Sequence, residues 1–187
     1  MDNERTGQPS PRQRPPRYKR PVFWVQLGLV AGIVLGAWLS LRTSVAEPET
    51  RAPSHIGDMR RTGLVTGEEA IKQTQSMHIG DIGIKDGYVA DYQAGTEKLT
   101  LWVGVAGSQS DAQRLLERMA SAIGAGGTPF ARPTQVAAGG RQVFVTSGAG
   151  GVNYFFQEAR SVVWVLAVNS AAPEDRLSAV LENVRFE

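Results

Sequence analysis

His55 and His78 are the only histidines in the 187-residue chain, and there is no cysteine. Without cysteine there is no disulfide, no thiolate nucleophile, no iron–sulfur ligand and no Cys-based haem attachment. A metal centre normally needs three or four converging ligands, and neither histidine has an H-x-x-x-H or His-carboxylate partner at ligand spacing. His78 falls at the end of a helix-periodic segment, where a histidine interacts with the exposed carbonyls. Asp81 and Asp86 lie five apart with Asp91 beyond, but a calcium loop needs donors at alternate positions and a distal glutamate. Asp86-Gly87 reads instead as a turn. Gly148 to Gly151 leads into another strand and Gly124 to Gly127 follows a helix, so neither forms the strand–glycine–helix cradle that binds phosphate. Ser147 and Ser161 lack the G-x-S-x-G context of a nucleophile elbow. The residues point to a non-catalytic chain with no cofactor and no metal.

Two other residue sets carry functional content. Gly28, Gly32 and Gly36 make two consecutive G-x-x-x-G steps, which align small residues on one helix face and admit a second helix closely. They point to self-association or to packing against another membrane subunit. Tyr88, Tyr92, Trp102 and Tyr154 form the second set, an aromatic group that could line a small-ligand pocket or fill a core.

The elements that position these residues begin with an apolar run. Pro21 to Leu41 contains no ionisable side chain, and at ~1.5 Å per residue it matches the thickness of a bilayer's hydrocarbon core. Trp24 and Trp38 lie near its two ends, as interfacial anchors do. Arg12, Arg14, Arg17, Lys19 and Arg20 precede the run closely, whereas Arg42 alone follows it within nine positions. That asymmetry predicts a single-pass signal-anchor at the cell membrane, with the N-terminus cytoplasmic and the C-terminal domain extracytoplasmic. A cleaved secretory signal ending at Ser44-Val45-Ala46 is the competing reading, and it exports the same domain.

Charge separates the regions further. Residues 1–20 carry six basic and two acidic groups, residues 67–187 ten basic and thirteen acidic. The domain therefore lacks the concentrated Lys and Arg of a phosphate-tracking surface, which excludes nucleic acid as a partner. The proline-rich basic head, residues 1–20, reads as a disordered tail that serves topology or meets anionic lipid headgroups. Residues 42–65, polar and broken by Pro48 and Pro53, read as a stalk.

Residues 66–187 are left to fold. Thr66 and Glu69 fit a capping box that opens a helix over about 67–78. Ser110 with Gln113 opens a second helix, whose apolar residues Ala112, Leu115, Leu116, Met119 and Ile123 recur at helical spacing. Pro173 starts a third, carrying Leu177, Val180, Leu181 and Val184. The period between the helices is two: Tyr88–Tyr92 and Leu99–Val105 form a hairpin across Gly95, and 134–138, 141–146, 152–157 and 161–169 form a meander. This order predicts an α+β, two-layer domain with a mostly antiparallel sheet and the helices on one face. The uniformly apolar run from Val162 to Val168 predicts a central strand covered on both sides.

The segments KDGYVADYQAG and NYFFQEARSVVWVLAV resemble those of small, uncharacterised single-pass membrane-anchored proteins of bacteria. The resemblance implies no activity. Two functions are expected: a non-catalytic accessory subunit docking onto a larger membrane protein assembly, or a membrane-tethered domain that binds or senses a small ligand.

Overall fold

A computed structural model describes residues 52–78 and 80–186. The residues expected to span the membrane or anchor it (Gly28, Gly32, Gly36, Trp24, Trp38 and the basic head) lie outside these. Among the described residues no helix is long and apolar enough to cross a membrane.

Eight strands and three helices follow one another along the chain: β1 His55–Ile56, β2 Met59–Thr66, α1 Gly67–Ser76, β3 Ile84–Ala94, β4 Glu97–Ala106, α2 Gln109–Gly124, β5 Thr134–Ala138, β6 Arg141–Gly148, β7 Gly151–Glu158, β8 Ser161–Val168 and α3 Pro173–Asn183. The strands form one sheet in the order β1-β2-β3-β4-β8-β7-β6-β5. Every described pairing is antiparallel. The α+β reading therefore stands, and β8 is central, paired with both β4 and β7.

Three expectations are corrected. The stalk does not reach residue 65: β1 and β2 arise from its second half, with Ile56 and Met59 fully buried. The charges of this stretch hid the strand, because Arg60 and Arg61 flank the apolar residues that face inward. The helices do not share one face. Leu177, Val180 and Leu181 of α3 pack with Tyr154, Phe156, Val163 and Val165, whereas Ala112, Leu115 and Leu116 of α2 pack with Phe155 and Val162. Neighbouring residues of a strand point to opposite faces, so α2 and α3 sandwich the sheet and cover both sides of β8. The third correction concerns caps. Thr66 makes no side-chain cap bond to α1, and α2 begins two residues before the expected Ser110, on Ser108, whose hydroxyl accepts from the Asp111 amide at 3.1 Å.

The sheet also curls. Laid flat, eight strands ~4.8 Å apart would span about 34 Å. Yet Gly57 in the β1–β2 turn lies against Ala179, and Gly139 in the β5–β6 turn lies against Leu181. Residues so close on one helix can meet both outer hairpins only if the strands wrap around α3. Arg176 fastens the start of that helix, pairing with Asp58 beside the β1–β2 turn and with Glu97 of β4 at 2.8 Å. Hydrogen bonds from the guanidinium hold both carboxyls below their usual range.

The spacing of the elements recurs within the sheet. With an offset of 64 residues, β3-β4-α2 superposes in sequence frame on β7-β8-α3: the hairpin turns fall at Gly95 and Ala159, both with positive φ, and the helices start at Gln109 and Pro173. In each turn a glutamine amide, of Gln93 or Gln157, donates to the carbonyl of that positive-φ residue. Leu101 and Val165, equivalent in this frame, are paired directly across β4 and β8. That pair marks a pseudo-two-fold axis through the sheet, which the helices break by leaving on opposite faces.

Candidate docking edge

Of the four aromatic residues weighed as a pocket or a core, three share one buried core and the fourth does not. Tyr88, Tyr92 and Tyr154 lie in the concave core beneath α3, each at most 4 % exposed. Trp102 is paired with Val89 and Trp164, which places it on the opposite face. The signal was present in the hairpin register: a two-residue turn at Gly95-Thr96 sets Tyr88 across from Val103, so Trp102 must point the other way. Burial pushes the phenols of Tyr92 and Tyr154 up to about 12, and the Tyr92 hydroxyl donates to the Pro53 carbonyl at 3.0 Å. These tyrosines are neutral core residues.

The chemistry-bearing side chains are likewise occupied locally. His78 Nδ1 lies 2.8 Å from the Thr74 carbonyl, the helix C-terminal role expected of it. Asp81 accepts from the Gly83 amide, Asp86 from the Gly87 amide, and Asp91 from the Thr100 hydroxyl. Among the described residues no three metal-ligating side chains converge. An open cleft of about 480 Å³ runs between Asp81–Gly83 and the Arg114–Arg118 side of α2. Two of its charges are paired with each other: Asp111 bonds Arg114, and the Ser108 hydroxyl bond is the main reason the Asp111 carboxyl is held low.

The outer rim of the sheet is different. In β5, Thr134, Gln135, Val136 and Ala137 are exposed, on both faces of the strand. Val136 is 40 % exposed, and among the described residues it and Met77 are the exposed large hydrophobics. The reason lies in the reach of the helices. α2 packs over β7 and β8, and α3 stops at the β5–β6 turn with Leu181 against Gly139. One side of β5 pairs with β6, and among the described residues no strand pairs with the other.

An open edge is a template for another strand, and folded proteins usually guard it with charge, proline, a bulge or shortness. The opposite edge is guarded: β1 has two residues, and the chain before it is held by the Ser54 carbonyl to the Arg61 amide and by Ala52, which is fully buried. On the β5 edge the guards stand only at its start, where Arg132 and Pro133 precede the strand and the pairing with β6 shifts by one residue between the Phe130–Gly148 bridge and Thr134–Val145; the five residues of β5 itself carry none. Its sequence TQVAA is uncharged, free of proline and paired to β6 without a register shift. Nothing in the local sequence marks β5 as outermost. That follows from β8 returning to pair with β4, a long-range choice.

No protein-family model matches the chain, and no curated protein matches it. Among solved structures it is similar to the extracellular domain of PknH from Mycobacterium tuberculosis, at 12% identity and a TM-score of 0.39, over 66% of this chain and 78% of that one. A likeness at that level carries no argument about function, which rests on the chain's own residues.

Proposed function

We propose that the protein is a non-catalytic, membrane-anchored accessory subunit whose extracytoplasmic domain docks onto a membrane protein assembly by strand addition. The observation that carries this reading is the open side of β5, five uncharged residues of backbone between Pro133 and the Gly139-Gly140 turn. In strand addition the main chain supplies affinity and the alternating side chains supply selectivity. The apolar run Pro21–Leu41 with its glycine face supplies a second contact within the bilayer. Asp81 and Asp86 are engaged in turns and Arg176 in an ion pair with Glu97, which suits a scaffold better than a reaction centre.

A lysine on the edge tests the reading, because charge there opposes an incoming strand. Val136→Lys changes an exposed position, so the fold is expected to lose no more than about 0.5 kcal/mol. In mild detergent the full chain is expected to migrate within a discrete larger complex. The variant is expected to leave that complex, with its thermal midpoint nearly unchanged. Wild-type chain that migrates alone, or a variant that remains fully associated, contradicts the reading.

A further inference from the structure

The β5 edge is self-complementary. If two copies of Thr134–Ala138 run antiparallel with all five residues overlapping, Val136 falls opposite Val136 of the other copy, and Thr134 falls opposite Ala138. The next positions out set Arg132-Pro133 against Gly139-Gly140. The bulky end of one strand thus faces a turn with no side chains. A two-fold contact repeats every charge against itself, and this strand has no charge to repeat. Arg141, just past the turn, is already paired with Glu158 of its own chain. The exposed Val136 side chains would cover each other on the dyad, on the face that carries Val143.

We infer that the occupant of this edge is β5 of a second copy of the chain, joining two eight-stranded sheets into one. The inference rests on the reading of β5 as a docking edge and names its partner. Strand pairing over five residues buries only a few hundred Å², well below the ~1,000 Å² of a stable interface. The pairing therefore depends on the anchor, which confines both copies to one membrane and raises their effective concentration.

The absence of cysteine makes the test direct. Single variants Val136→Cys, Thr134→Cys, Ala138→Cys and Ser178→Cys are made in the full chain, reconstituted in phosphatidylcholine vesicles and mildly oxidised. Ser178 is an exposed residue of α3, outside the β5 strand. Val136→Cys is expected to form disulfide-linked dimers about tenfold or more faster than Ser178→Cys, since directly opposed strand positions satisfy disulfide geometry. Thr134→Cys alone and Ala138→Cys alone should link slowly, and vesicles containing both should link quickly. Equal rates at positions 136 and 178, with no gain from mixing, overturn the inference. If that happens while Val136→Lys still loses its larger complex, docking stands and the second copy falls. Rapid linking at 136 supports the second copy; where no other protein co-migrates, the larger complex is the pair itself and the docking edge stands.

Discussion

Gly87→Ala is expected to destabilise the domain by about 3 kcal/mol or more, and Gly151→Ala by a comparable amount. A Cβ on Gly87 would press into the Val103 carbonyl oxygen of β4, and one on Gly151 into the Ala167 carbonyl oxygen of β8, both closer than real Cβ contacts allow. The two positions are equivalents at the 64-residue offset, and so are the two carbonyls. Backbone cannot swing aside as a side chain can, so relief requires moving a central strand that also pairs with its other neighbour. Gly124, at the end of α2, is the control. A Cβ there meets nothing within 4 Å, and Gly124→Ala should be neutral or stabilising by up to about 1 kcal/mol. Chemical denaturation of the three variants checks the pattern. A Gly87→Ala loss below 1 kcal/mol would show that the strands are not packed as described.

Phe155→Ala should produce a loss of about 3–5 kcal/mol. Phe155 is fully buried on the convex face, stacked on Phe144 at 5.0 Å and on Trp164 at 4.9 Å, under the apolar side of α2. Trp164 is held from both sides, by Phe130 against its ring and by its indole N–H donating to Asn153 at 2.9 Å. The surrounding rings are therefore poorly free to collapse into the space left. Against a typical stability of ~5–15 kcal/mol, the thermal midpoint should fall by roughly 10–20 °C. Trp fluorescence followed through thermal unfolding reads both the shift and the altered surroundings of Trp164. A shift of only a few degrees would mean that α2 does not seal this face.

Most elements from residue 84 onward were legible because their apolar period changes cleanly between two and 3.6. β8 was legible as central from seven consecutive apolar residues. Less could be read where long-range choices decide. β2 carries Met59 and Leu64 inward among Arg60, Arg61 and Thr62, and only pairing with β3 makes a strand of it. The face each helix takes depends on which way the chain turns after β4 and β8, which periodicity does not encode. The recurrence was hidden for a different reason: in its frame only Gly87/Gly151, Gln93/Gln157 and Asp111/Asp175 are identical. Those identities sit at a backbone contact, a hairpin turn and a helix start, the places where geometry tolerates the fewest side chains. The candidate site was missed because an edge is a property of strand order. TQVAA looks like any other half-polar strand until β8 is seen to pair with β4.

Amide hydrogen exchange across residues 134–138 of the full chain, compared between native membranes and dissociating detergent, addresses the docking edge most directly. Amides facing β6 should be protected in both. The outward-facing amides of β5 should exchange slowly in the membrane and rapidly after dissociation. Rapid exchange of those amides in both conditions would mean that nothing pairs with the edge where the protein works, and the docking account would be wrong.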